Sequence, residues 1–129
     1  MMKKIVFEIG TVRIEGTLNS SNTAAKIYST LPIKGKANLW GKEIYFSVPV
    51  HLPLEDGKEI VNIGDIAYWP EGPAVCIFFG PTPISRGDEI RPYSKVTLIG
   101  QVDGNFIKDL YNIKDGDKIE MKPLTSGGD

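Results

Sequence analysis

Apolar and polar residues alternate with a period of two along most of this chain, the pattern of strands that bury one face. Lys3 to Ile9 and Thr11 to Leu18 run on either side of Gly10. In the second run Val12, Ile14 and Gly16 share one face, while Arg13, Glu15 and Thr17 take the other. The period then changes. Ser20, Ser21 and Asn22 offer side-chain oxygens for a helix start, and Ala24, Ile27, Tyr28 and Leu31 recur at helical spacing from Thr23 to Leu31. Pro32 ends this helix, since it cannot donate to the preceding turn and disfavours helical geometry at Leu31.

Strand patterns resume with Gly35 to Leu39 and Glu43 to Val48, a hairpin around the compact turn Trp40-Gly41-Lys42. A loop holding Pro49, His51, Pro53 and Asp56-Gly57 leads to a short run, Glu59 to Asn62. Two apolar runs follow, Ile66 to Trp69 and Ala74 to Phe79, joined by a Pro70-Glu71-Gly72-Pro73 corner. They predict a hairpin of buried strands that stops at Gly80-Pro81-Thr82-Pro83. Arg86 to Pro92 is a polar loop. Lys95 to Val102 is a further strand, with Val96, Leu98 and Gly100 opposite Thr97, Ile99 and Gln101. Beyond the Asp103-Gly104 turn, Phe106 to Tyr111 is a short helical or extended element, and Asp117 to Met121 closes the series.

Roughly eight short strands with one or two short helices predict a mainly-β barrel or sandwich. Closure is favoured because two open sheet edges are a liability in so small a protein. The expected fold is thus a closed or nearly closed eight-stranded β-barrel. No internal repeat divides the chain, so residues 1–124 are expected as one domain. Thr125 to Asp129 lack an apolar anchor and are expected as a flexible tail.

Composition changes this picture little. The chain has 129 residues, 41% hydrophobic and 24% charged, ordinary for a globular protein able to bury a core. Its formal charge of −1 gives no basic footprint for nucleic acid. No run approaches the ~18 apolar residues of a membrane-spanning helix, and Glu8 interrupts any signal-peptide core at once. The single cysteine, Cys76, excludes an intramolecular disulfide and fits a reducing compartment, so the cytoplasm is the expected location. One histidine without a second histidine or cysteine partner predicts no zinc site. No phosphate-binding glycine spacing and no nucleophile elbow is present, and no cofactor is expected.

Three segments resemble cyclophilins: the helix Asn22 to Leu31, the stretch Gly64-Asp65-Ile66-Ala67-Tyr68-Trp69 through Phe78-Phe79, and the strand and turn Val96 to Gly104. More closely, the chain resembles the small prokaryotic cyclophilin-like family over residues 3–122. It shares that family's Trp-Gly-x-Glu-Ile-Tyr-Phe hairpin, here Trp40 to Phe46. It also shares a Gly-Asp-Ile-x-Tyr-Trp to Phe-Phe-Gly-Pro-Thr-Pro segment, here Gly64 to Pro83. The resemblance implies a cyclophilin-like barrel and brings no settled activity with it.

True cyclophilins are prolyl isomerases, and the resemblance raises that activity as a question. Amide rotation faces a barrier of ~18–20 kcal/mol, which an arginine lowers by stabilising the twisted amide. In cyclophilins this arginine lies in a Phe-His-Arg-x-x-Pro strand. Matched through Pro49, that position here holds Phe46 or Ser47, and the following Gln-Gly-Gly-Asp is replaced by Val50-His51-Leu52-Pro53. Arg13, Arg86 and Arg91 are the only arginines, and none lies on this strand. The chain is therefore expected to lack isomerase activity. Its expected role is that of a binding module for a small molecule or short peptide, its oligomeric state left open. Two alternatives remain: a weak or divergent prolyl isomerase, and an interaction domain related to parts of amide-hydrolysing enzymes.

Cyclophilin barrels bind proline in an aromatic-walled pocket on one outer face. The ligand-binding candidates by that analogy are Glu43, Tyr45, Phe46, Trp69, Phe79 and Thr82. Aromatic rings also fill cores, and alternation lets only half of them face inward. Trp40 and Trp69 stand beside turns and are expected to point outward. Glu71 and His51 are candidate polar partners of Glu43, although a lone histidine in a Pro-rich loop is ordinarily a solvated residue. Cys76, in the most apolar strand, is expected as a buried, inert thiol. Thr82 and Ser85 would donate to a ligand if the Pro81–Pro83 loop forms a pocket rim rather than a barrel corner.

Overall fold

The computed structural model of the chain describes residues 3–104 and 106–125, and its strands lie in one sheet of nine. They are β1 (Lys3–Ile9), β2 (Val12–Leu18), β3 (Ile33–Lys36), β4 (Asn38–Trp40), β5 (Glu43–Ser47), β6 (Asp65–Trp69), β7 (Ala74–Phe78), β8 (Thr97–Val102) and β9 (Lys118–Pro123). The helix α1 spans Asn22–Thr30, and a 3-10 helix spans Phe106–Asn112. The sheet order is β3-β9-β1-β2-β8-β6-β7-β5-β4. Its two end strands are consecutive in the chain, with only Ala37 between them, so the sheet curls into a nearly closed barrel.

That seam divides one expected strand in two. The run Gly35 to Leu39 does not stay one strand. Its first half pairs antiparallel with β9 (Gly35 opposite Ile119), its second with β5 (Leu39 opposite Ile44). Ala37 is fully buried between the halves, where the direction of pairing changes. The expected strand Glu59 to Asn62 does not form; only isolated bridges, Lys58 to Val96 and Val61 to Ile90, occur there. Val61 is buried, but its neighbours Ile60 and Ile63 stay exposed, so the segment has no face to bury as a strand. Part of the expected tail, residues 126–129, lies outside the described residues.

The barrel interior takes one parity of each strand. Ile5, Phe7 and Ile9 of β1, Ile14 of β2, Ile44 and Phe46 of β5, Ile66 and Tyr68 of β6, and Val75 and Ile77 of β7 pack there. Helix α1 adds Ala24 and Ile27, as its spacing predicts. Ser21 caps it by accepting from the Ala24 amide at 3.0 Å. Glu55 accepts from the Thr23 hydroxyl at 2.7 Å and from the Thr23 and Asn22 amides, and these bonds hold its carboxyl below the ordinary range. In β8 the alternation holds through Ile99, which joins the interior while Val96 and Leu98 pack on the outer surface, and then fails. A bulge between Ile66 and Ala67 shifts the β6–β8 register, so Gly100 stands opposite the interior residues Ile66 and Leu18 rather than on the face of Leu98.

The other parity of β5, β6 and β7 faces outward and is not left bare. Ala67, Cys76 and Phe78 form a second apolar cluster with Val61, Ile90 and Val96 from the long connections. These loops therefore lie over the outer face of the sheet, and the candidate site forms where they meet it.

Candidate functional site

Alternation along β5 sets the site. Ile44 and Phe46 point into the barrel, so Glu43 and Tyr45 must point out. On β7 the outward residue opposite Tyr45 is Cys76, which places it diagonally next to Glu43. On β4, Trp40 stands directly across from Glu43. On β6, Trp69 shares the outward parity of Ala67. These side chains, with Val96 and the loop residues Pro92 and Tyr93, line a cavity of about 130 Å³.

Its walls are aromatic. The Tyr93 ring lies 6.0 Å from Trp40 at 69° and 5.9 Å from Trp69 at 75°, so three rings stand nearly perpendicular in turn. Edge-to-face pairs of this kind are favourable in themselves. The Trp69 indole N–H donates to Ser94 Oγ at 2.7 Å, and Ser94 donates to Glu71 at 2.5 Å. This relay fixes both the indole and the turn that carries Tyr93. Tyr93 itself is 68% exposed and forms the outer lip.

The floor carries the only carboxyl among the lining residues. Glu43 is 6% exposed, and burial raises its pKa from the ordinary 4.5 to about 7, against a partial offset from a hydrogen bond with Cys76. The same burial, with the neighbouring Glu43, pushes the Cys76 thiol well up. Cys76 is thus a protonated thiol rather than a nucleophile. The expectation of a buried, inert cysteine agrees with this, but its position on the cavity floor beside Glu43 was not anticipated.

Of the six candidates, the structure brings three together here: Glu43, Tyr45 and Trp69. The other three lie elsewhere. Phe46 is fully buried in the barrel, edge-on to Phe7 at 6.3 Å, because its parity is opposite to that of Tyr45. Phe79 belongs to the interior cluster and packs edge-on against Tyr111 at 5.3 Å, with Lys42 Nζ near both rings. Thr82 is buried, and its hydroxyl is spent inside the loop. It donates to the Arg91 carbonyl at 2.5 Å and meets Ser85 Oγ at 3.0 Å. Ser85 in turn accepts from the Thr82 and Arg91 amides.

With the Thr82 and Ser85 hydroxyls engaged in this way, the Pro81–Pro83 loop braces the site twice. Through Thr82 it anchors Arg91, next to Pro92 and Tyr93. Through the Pro81 carbonyl, which accepts from the Lys42 amide at 2.9 Å, it clamps the turn after Trp40. Gly41 in that turn has φ +60°, and a Cβ there would fall 2.8 Å from Pro83 and 2.9 Å from the Pro81 carbonyl, so glycine is required. His51 is exposed and does not line the cavity. Among the described residues, no three of His, Cys, Asp and Glu converge as metal ligands.

Trp40, the outward tryptophan beside a turn, lines the cavity as that position suggested. Pro92, Tyr93 and Val96 were missed. They come from a loop whose docking depends on long-range contacts with no local signature. No arginine lines the cavity: Arg13 pairs with Glu15 at 3.0 Å and Arg91 with Glu89 at 2.7 Å, while Arg86 is exposed.

The comparisons with known proteins agree with this architecture. Residues 3–122 match the model of a family described as Cyclophilin-like. Among solved structures, the solution structure of the hypothetical protein AF2241 from Archaeoglobus fulgidus is similar, with a TM-score of 0.80 and 35% identity over 95% of each chain. No curated protein matches the chain. With its barrel, its two long motifs and a family match over nearly its whole length, the chain belongs to the small prokaryotic cyclophilin-like family.

Proposed function

We propose that this chain is a binding module whose ligand site is the outer-face cavity between Trp40, Trp69 and Tyr93, taking a small molecule or one side chain of a short peptide. The observation that carries the reading is a concave, aromatic-walled site with a single buried carboxyl on its floor. Binding sites are commonly built this way, with apolar walls for affinity and a few polar groups for orientation. The braces through Thr82, Ser85 and Ser94 support the same reading, since they hold the walls in place before any ligand arrives.

The cavity lining holds no guanidinium to stabilise a twisted prolyl amide. As a carboxylate, Glu43 offers no N–H to the prolyl nitrogen, where the lone pair localises as the twisted amide loses conjugation. This supports binding without isomerase catalysis. Both tryptophans of the chain line the cavity, so intrinsic fluorescence reports on the site directly. Titration with small aromatic, aliphatic and ammonium compounds, and with a proline-containing peptide, should give saturable fluorescence changes for at least one class. A protease-coupled isomerisation assay should stay at the background rate. A clear acceleration would overturn the binding-only reading.

A further inference from the structure

Resting on that binding reading, we propose that the cavity is a cage for a methylated ammonium group, with the Trp40, Trp69 and Tyr93 rings as its walls and Glu43 as its counter-charge.

Shape favours this group. Tyr93 stands at 69° to Trp40 and 75° to Trp69, so it meets each tryptophan as an adjoining wall of a corner. A flat ring seeks a slot between parallel faces, whereas a compact, nearly spherical cation meets a π-face on each side. The cavity of about 130 Å³ is of a size to take a group of about five or six heavy atoms, given that an apolar cavity of about 150 Å³ takes benzene. A trimethylammonium head is of that size. Tyr45 adds a fourth ring to the lining.

Charge favours it too. Aromatic faces are negative at their centres and attract cations within about 6 Å, tryptophan most strongly, and quaternary ammonium ions are held this way because they cannot be satisfied by hydrogen bonds. The lining contains no lysine, arginine or histidine to neutralise Glu43. Its hydrogen-bond partner is the Cys76 thiol from β7, and the other titratable groups of the lining are the Tyr45 phenol from β5 and the Tyr93 phenol from the loop. A second carboxylate, Glu71, stands behind the wall, receiving the Ser94 hydroxyl that itself accepts from Trp69. An anion would meet two carboxylates and the negative faces of the rings. A cation would relieve the burial cost that now holds Glu43 towards its neutral form.

The test uses the intact chain and compares choline with 3,3-dimethyl-1-butanol, its uncharged isostere, by tryptophan fluorescence and calorimetry. Choline is expected to bind at least tenfold tighter than the alcohol. Its affinity is expected to rise at least tenfold from pH 5.5 to pH 8.5 as Glu43 ionises, with proton release at pH 7, while binding of the alcohol changes little with pH. Glu43→Gln should remove the pH dependence. A third arm, N-acetyl-trimethyllysine amide, identifies the source of the group: tighter binding than choline indicates a modified lysine side chain, weaker binding a free small molecule. Equal binding of choline and the alcohol, or binding of the alcohol alone, overturns the cage and leaves the cavity as a neutral ligand site. If neither binds, the cage is also overturned, and the fragment titration above decides whether the cavity binds anything.

Discussion

Replacing Glu43 with glutamine should change how stability depends on pH, and by an amount that the structure fixes. Glu43 is buried on the cavity floor, and its pKa rises from the ordinary 4.5 to about 7. One pKa unit corresponds to about 1.4 kcal/mol, so the shift is worth about 3 kcal/mol. Between pH 4.5 and 7 the unfolded chain has lost this proton while the folded chain keeps it, so folded stability falls as pH rises through that window. Below 4.5 both states are protonated and the contribution is fully present. Above 7 both are ionised, and the cost of a buried carboxylate persists. A glutamine side chain is nearly isosteric with glutamate and does not titrate. Urea denaturation followed by far-ultraviolet circular dichroism, at unit steps from pH 4 to pH 8, gives the difference in stability between the two proteins. That difference should move in favour of Glu43→Gln by about 3 kcal/mol between pH 4.5 and 7 and be level on either side. A difference constant across the range would refute the reasoning, because it would mean that Glu43 titrates as it does in the unfolded chain.

Opposite parities on β5 should separate in a stability measurement. Phe46→Ala empties a fully buried site and should cost about 3–5 kcal/mol by chemical denaturation, whereas Tyr45→Ala, at the cavity wall, should cost clearly less. Thr82→Ala leaves the Arg91 carbonyl without its side-chain donor. It should cost about 1–3 kcal/mol and speed amide hydrogen exchange at Ser85 and Arg91. Cys76 should resist a disulfide reagent in the native chain at pH 7 and react at once in denaturant, since the residue is 1% exposed and its thiol is held protonated. Rapid native labelling would contradict the burial on which the floor of the site depends.

The barrel was legible because its strands carry a period-two pattern strong enough to survive without context. Val12 to Leu18 and Glu43 to Ser47 show buried residues at the positions their alternation marks. The helix was equally plain, with Ser21 as its cap and Ala24 and Ile27 on its buried face. Where the pattern misled, a long-range contact had overridden it. Ala37 divides one run between two partners, and the bulge at Ile66 and Ala67 moves Gly100 off the face of Leu98 and opposite the interior residues Ile66 and Leu18.

The candidate site was half legible for the same reason. Alternation alone separates Glu43 and Tyr45 from Phe46, and that signal was present in the sequence. Applied residue by residue, it also marks Cys76 as a cross-strand neighbour of Tyr45 once β5 and β7 are paired. A hydroxyl on a rigid loop reads in sequence as a ligand donor, and the structure places the Thr82 hydroxyl on the Arg91 carbonyl, a partner that no local pattern marks. Tyr93 could not be found from its own surroundings. It becomes a cavity wall only through Ser94, which ties its turn to Trp69 some 25 residues earlier in the chain.

The central claim is that ligands enter between Trp40 and Trp69 on the outer face of β5, β6 and β7. Two-dimensional ¹H–¹⁵N spectra test it most directly, because the chain's two tryptophans give two indole cross-peaks, both from the cavity. Titration with any compound that binds should shift both indole peaks together with the amides of Tyr45 and Cys76, and leave unmoved the separate surface groove near Lys34 and Glu120. Saturable binding that shifts that groove, or any other face, while both indole peaks stay fixed would contradict the account.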